Sequence, residues 1–292
     1  MIREEARSFD TRILVPTLNF TRASDVMLID THIHLYLEQF KDDLDEVITR
    51  ALDADVQIMV MPAINIPTID QALNMCRQKE GLYAMTALHP SDVKDATDTD
   101  LQTIADYCSD PHIVAVGETG LDYYWDQSFN DKQKRFLRGH LEIAEEADLP
   151  IVFHNRDASE DLIKELRSYI ASSSRPERIR GIFHCFGGPI ELAAEVMELG
   201  FHVGLGGTLT FKNGGVPDTI IEIPMSRIVL ETDGPFLAPV PFRGKRNEPA
   251  HVRLVAQKLA ELRGMSIEDV EHLTTQNAVQ LFNIDPTRVL KR

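Results

Sequence analysis

Eight short β-branched or apolar runs, each followed by an amphipathic segment, predict an α/β fold, a (β/α)8 TIM barrel. Two further observations agree. Six metal-type ligands fall at the carboxyl ends of those runs, the face on which this fold builds its active sites. The 292 residues also suit one barrel, since single α/β barrels reach ~250 residues or more.

After an arm of residues 1–26, the strand runs are Met27–His32, Gln57–Met61, Leu82–Leu88, Ile113–Gly117, Ile151–His154, Gly181–His184, Phe201–Leu205 and Ile228–Thr232. Helices are predicted between them near 43–53, 67–79, 98–108, 131–147, 157–171, 189–199, 215–222 and 249–263, with one more near 266–282. Leu137, Leu141, Ala144 and Ala147 recur at three- and four-residue spacing, as do Leu162, Leu166 and Ile170, which marks the buried faces of the fourth and fifth helices. Gly200 stands just past the helix ending at Leu199, and Gly181 just before the sixth strand, as helix-to-strand loops prefer. No Pro/Ser linker or solenoid repeat divides the chain, so residues 27–287 read as one domain with a tail at 288–292. The arm carries its own apolar set, Ile13, Leu14, Val15, Leu18 and Phe20, and is expected to pack on the barrel exterior or its closed end.

Composition excludes several classes. With 30 basic and 46 acidic residues the net charge is −16, which argues against a broad phosphate-binding face and confines any nucleic-acid contact to a local patch. Apolar runs such as Val56 to Ile64 are far shorter than the ~20 residues that cross a bilayer, and the charged N-terminus has no signal-like apolar stretch behind it. Three scattered cysteines, Cys76, Cys108 and Cys185, without a C-x-x-C pair suit a reducing compartment and buried packing. A cytoplasmic protein with no membrane partner and no obligate protein partner is expected.

The first strand ends in Asp30-Thr31-His32-Ile33-His34, and alternation along a strand points both imidazoles the same way. Glu118, His154, His184 and Asp233 close the fourth, fifth, sixth and eighth strands, with Val116, Val152, Ile182 and Glu231 two residues before them and expected to share their inward parity. Four imidazoles and two carboxylates overfill one four-coordinate shell, so two divalent ions are expected. Glu118 would bridge them, His32, His34 and Asp233 would serve one ion, and His154 and His184 the other. Ligand softness favours Zn, Mn, Co or Ni over Ca, and Mg is compatible where carboxylates and water complete the shell.

The runs DTHIHL, ALHPSD, VGETGLDYYWD, VFHNRDA, FHCFGG, LGGTLTF and LETDGPFLAPVPFRGKRNEPAHV resemble, in order and spacing over residues 27–284, the TatD family of metal-dependent hydrolases and deoxyribonucleases. The resemblance implies a TIM barrel, two divalent ions and phosphodiester hydrolysis, with the ligand pattern falling on His32, His34, Glu118, His154, His184 and Asp233. Departures are Thr119, Asn155, Gly234 and the long arm.

Two ions ~3.5–4 Å apart can share a hydroxide and neutralise charge on phosphoryl oxygens, which makes water the nucleophile. Asp233 is expected to be a catalytic general base as well as a ligand, the plainer role being a ligand only. His89 is either a substrate contact on the rim or a structural residue. Arg156 either forks onto a phosphate or pairs with Asp157. Arg243, Lys245 and Arg246 form the one dense basic run, which is either solvated charge or the local patch that an acidic nuclease needs. Tyr123, Tyr124 and Trp125 either stack a base or form a packed lid. Glu231 orients a ligand imidazole or sits in a buried ion pair. His112, His140, His202, His251 and His272 read as structural. The leading function is an exonuclease-like deoxyribonuclease acting on DNA ends or single strands. The alternative is hydrolysis of another ester or amide, by an aminoacyl-tRNA deacylase or a small-molecule amidohydrolase using the same centre.

Overall fold

The computed structural model describes residues 27–212 and 216–291, with side chains undescribed at 216–218. The expected packing of the 1–26 arm lies outside the described residues. The strands are β1 (Leu28–Asp30), β2 (Val56–Met61), β3 (Leu82–Thr86), β4 (Ile113–Asp122), β5 (Ile151–Arg156), β6 (Gly181–Phe183), β7 (His202–Leu205) and β8 (Ile228–Leu230). Each pairs in parallel with the next. A bridge between Ile33 and Gly234, with a Thr31 N–H donating to the Leu230 carbonyl at 3.0 Å, brings the two ends of the sheet together. The predicted TIM barrel is therefore the fold that forms.

The helices are α1 (Leu44–Asp53), α2 (Ile66–Gln78), α3 (Asp98–Tyr107), α4 (Asn130–Ala147), α5 (Ser159–Ser172), α6 (Ile190–Glu198), α7 (Val216–Glu222), α8 (Val252–Arg263) and α9 (Ile267–Phe282). Their ends have local causes. Asn65 and Thr68 cap α2 reciprocally, Ser266 caps α9 by accepting from the Asp269 N–H at 3.1 Å, and Gly200 takes the left-handed conformation, at φ +82°, just past α6.

Alternation along the strands makes two cores. Ile29, Ile58, Val60, Met85, Val152, Ile182 and Val229 fill the barrel, while Met59, Met61, Phe153, Phe183 and Val203 face the helices. α9 closes the amino-terminal mouth: Phe282 and Leu281 enter the inner core, Thr275 donates to the Met27 carbonyl and Asn277 to that of Ile228. Past α9, Leu290 is buried in the outer core and donates its N–H to the Gln57 carbonyl at 2.9 Å. Its backbone lies so close to Gly81, at φ +81°, that a Cβ there would overlap it.

Two expectations about β4 need correction. Val116 belongs to the outer core, with Ala115 facing inward, and Glu118 lies inside β4, which runs on to Asp122. The cause is a register shift between Gly117 and Thr119 against β5, which displaces the face pattern by one residue.

His140 of α4 fastens this strand. It is fully buried, its Nε2 accepts the Leu88 N–H at 3.2 Å, and its Nδ1 lies 2.7 Å from the Thr119 hydroxyl. Burial pushes its pKa down from 6.5 to about 3. The unfolded chain therefore takes up this proton first, so stability is lost as pH falls from 6.5 towards 3. In metal-free protein, His140→Asn should flatten the fall in unfolding free energy between about pH 6 and about pH 5 by about 1 kcal/mol. Denaturant titrations at the two pH values measure it, and an unchanged slope would remove His140 as a cause.

Candidate metal centre

The strands end where the ligands begin. A buried carboxyl, Asp30, joins β1 to the end of β8 by accepting the His32 N–H at 3.2 Å, the Thr232 N–H at 2.9 Å and the Thr232 hydroxyl. Burial pushes that carboxyl up to about 8, against these hydrogen bonds. His32 and His34 follow β1, His184 follows β6, Asp233 lies three residues past β8, and Glu118 and His154 sit within β4 and β5.

Glu118 is at the centre. Its Oε1 lies 2.8 Å from His154 Nδ1, 2.8 Å from His184 Nε2 and 3.5 Å from His89 Nε2, while its Oε2 lies 3.3 Å from His32 Nε2. On the far side of His32, Asp233 Oδ1 is 3.7 Å from His32 Nε2 and 3.4 Å from His34 Nε2. Among the described residues the ligand-type atoms fall into three overlapping groups: His32, His34 and Asp233; His32, Glu118 and His184; and His89, Glu118 and His154.

The outer ring nitrogens are held as well. The Tyr36 hydroxyl donates its one proton to the Pro62 carbonyl at 2.9 Å, so at 2.7 Å from His34 Nδ1 it must accept, which places a ring proton on Nδ1 and turns Nε2 toward Asp233. Asp122 Oδ2 lies 2.9 Å from His154 Nε2. Glu231 Oε1 faces His184 Nδ1 at 3.5 Å and also accepts the Cys185 N–H at 2.5 Å. The Glu231 carboxylate fills the space a side chain at Gly204 would need.

Electrostatics follow from the crowding. Burial opposes ionisation of Glu118, but His184, His89 and His154 outweigh it and hold its carboxyl well below the usual range. Burial likewise opposes charge on His184 and His154, yet Glu118 with Glu231 or Asp122 raises both. Burial, with His184 stacked on it at 4.0 Å, lowers His32. Burial opposes ionisation of Asp233 too, and His34, His32 and His184 prevail to lower it. Among the described residues His32 Nε2 is buried without a hydrogen-bond partner of good geometry, between two carboxylates. An orphaned lone pair there is met by a cation, so these residues fit divalent ions.

The other predicted contacts divide. His89 joins the centre, its Nδ1 held by the Ser91 N–H at 3.1 Å. Arg156 stacks on Tyr124, and among the described residues no carboxylate, Asp157 included, lies within ion-pair distance of it. Arg243 stacks on Phe211 at 3.5 Å, and Lys245 lies 5.9 Å from the Phe242 ring centroid. Arg246 departs from the expectation of a free basic run: it grips Asp43 through both terminal nitrogens at 2.7 Å and donates to the Gln39 carbonyl, tying the loop after β8 to the segment before α1. Tyr123 is likewise committed, its hydroxyl donating to Asp161 at 2.8 Å. The pattern of ligand-type residues at strand ends does not single out Asp122 or Tyr36. Continuing the two-residue period of β4 beyond Glu118, through Gly120, would have put Asp122 on the same face.

A model of the family described as TatD related DNase matches residues 29–283. The chain belongs to this family. As a TatD-family protein it is a metal-dependent hydrolase with a TIM-barrel fold. It is 45% identical over 260 residues to a Bacillus subtilis protein named as the metal-dependent hydrolase YabD, covering 89% of this chain and all of that one. A Klebsiella pneumoniae TatD-family protein named 3'-5' ssDNA/RNA exonuclease TatD is 30% identical over 265 residues, covering 88% of this chain and 98% of that one. The crystal structure of YjjV, a TatD homologue from Escherichia coli, superposes with a TM-score of 0.83 at 28% identity, covering 89% of this chain and all of that one. Among the described residues of this TatD-family chain, no helix is long and apolar enough to cross a membrane.

Proposed function

We propose that this chain hydrolyses phosphodiester bonds of nucleic acid, from a strand end, at a centre of two divalent ions sharing Glu118. The observation that carries the reading is the division of Glu118: one oxygen faces His154 and His184, the other faces His32, which adjoins His34 and Asp233. Each oxygen thus has its own set of donors, as a bridging carboxylate requires. His32, His34, Asp233 and Glu118 Oε2 would hold one ion, and His154, His184 and Glu118 Oε1 the other. An imidazole-rich set of this kind suits Zn, Mn, Co or Ni, with Mg compatible where water completes the shell. When bound, such ions acidify water and offset charge on phosphoryl oxygens.

The chain supplies the rest. Asp233, the least enclosed carboxylate of the set at 14% side-chain exposure, accepts the proton of the attacking water and returns it to the leaving oxygen. Asp122 and Glu231 fix the rings of His154 and His184 from behind. With a net charge of −16 the molecule repels a polyanion overall, so Arg156, Arg243 and Lys245 near the mouth must provide the local attraction. The exonuclease named among the relatives agrees with this substrate class.

The test is a panel of end-labelled single strands, the matching duplex, aminoacyl-tRNA and a small carboxylic ester, with Mn or Mg and with chelator. Shortening of the single strands that chelation abolishes is the expected result. Hydrolysis of aminoacyl-tRNA or of the ester, with the oligonucleotides intact, would assign the centre to acyl chemistry instead.

A further inference from the structure

Beside the centre, the chain leaving β4 sets two large aromatics at the rim. Tyr124 is 52% and Trp125 70% exposed, and their rings meet edge to face at 4.7 Å. A packed lid would have buried these rings, which are left open to solvent instead. Arg156, two residues past His154 on β5, lays its guanidinium 3.7 Å from the Tyr124 ring centroid and 5.5 Å from that of Trp125. It does so in a chain of 46 acidic residues without meeting a carboxylate at ion-pair distance among the described residues. Its donors are therefore held in place by ring stacking and remain available to an anion from outside.

Against Trp125 lies a cavity of about 180 Å³, with Phe129 on its wall and Ser91 and Asp122 among its polar groups. Both of those groups reach the centre. Ser91 engages His89 Nδ1 through its N–H and, at 2.9 Å, its hydroxyl. Asp122 holds His154 through one oxygen and accepts the Tyr124 N–H at 3.0 Å through the other. An open indole face, a cavity beside it and an unspent planar cation are thus fastened to the imidazole side of one site. That combination suits a planar ring bearing a phosphate.

We propose that the cavity beside Trp125 receives one unpaired nucleobase of the substrate strand, stacked on the indole, while Arg156 takes the adjoining phosphate. The inference rests on the nucleic-acid reading above and sharpens it. A paired base inside a duplex has both faces covered by its neighbours and cannot offer one to Trp125, so single strands and frayed ends are selected. Tyr124 serves as the bed for Arg156 and reduces the freedom that the guanidinium would otherwise lose on binding.

Trp125 is the only tryptophan of the chain, so its emission reports on this one position. Metal-loaded protein is titrated with a phosphorothioate oligothymidylate, which resists cleavage, and binding is followed by anisotropy of a label on the oligonucleotide and by indole emission. Both signals should saturate together, and an abasic strand of equal length should leave the emission unchanged. Trp125→Ala should weaken binding ~10-fold or more, Trp125→Phe should restore most of it, and Arg156→Ala should lower the salt dependence by about one phosphate contact. Binding seen by anisotropy with unchanged emission, or wild-type affinity in Trp125→Ala, would overturn the stacking site while leaving nuclease activity intact. No binding of any oligonucleotide by anisotropy would overturn the nucleic-acid substrate, and the stacking site with it.

Discussion

Asp233→Asn should leave the fold and most of the bound metal in place and cut turnover by ~10²–10⁴. The fold stays intact because the Asp233 backbone donates its N–H to the His32 carbonyl at 2.8 Å and its carbonyl accepts from the Phe236 N–H at 2.9 Å, neither of which needs the carboxylate. Metal is retained because an amide oxygen can still occupy the place of Oδ1, 3.4 Å from His34 Nε2. What the amide cannot do is take up a proton near neutral pH. The loss should therefore appear in kcat with little change in KM, because an interaction made only as the proton moves is removed. Steady-state kinetics on a labelled single strand, with metal content measured on the same preparation, check it. Near-normal turnover in fully loaded protein would reduce Asp233 to a ligand.

How much of this centre could be read in advance follows from where each residue sits. His32, His34, His154, His184 and Asp233 were legible because a strand end in a barrel faces one rim, so a histidine or aspartate closing an apolar run is placed by topology alone. The inward face of Val152 and Ile182 was legible for the same reason, from the two-residue period. Val116 falls on the other face because the shift at Gly117/Thr119 changes the count, and nothing in VAVGET announces a shift. The fate of Arg246 was hidden for a different reason: its partner Asp43 is 203 residues away, and only the closing of the barrel, β8 against β1, brings the two loops together. Its neighbours Arg243 and Lys245 rest on phenylalanine rings instead of carboxylates, a difference that a run of like charges does not reveal. Arg156 escaped its near neighbour Asp157 because β5 carries the guanidinium to the rings that follow β4, and that register too is a tertiary fact.

Glu118→Gln should deplete both ions together, whereas His184→Ala should deplete one. Glu118 Oε1 meets His154 and His184 at 2.8 Å each and Oε2 meets His32 at 3.3 Å, so a single side chain completes both donor sets. An amide keeps the shape but offers one oxygen in place of two and no negative charge, in a site where the ions would bring four positive charges and the carboxylates Glu118 and Asp233 would offset only two of them. The affinity lost should exceed the ~10–100-fold that follows removal of an outer hydrogen-bond partner of a ligand. Of the two Glu118 oxygens His184 meets Oε1, and although its ring stacks on His32 at 4.0 Å, its removal leaves His32, His34, Asp233 and Oε2 as a complete set for one ion. Metal analysis after dialysis against a graded series of free metal should give two ions per wild-type chain, one per His184→Ala chain at intermediate metal, and a loss of both in a single step for Glu118→Gln. Saturation of the wild type at one ion, or the same single ion lost from both variants, would overturn the partition of ligands on which the bridging role of Glu118 depends.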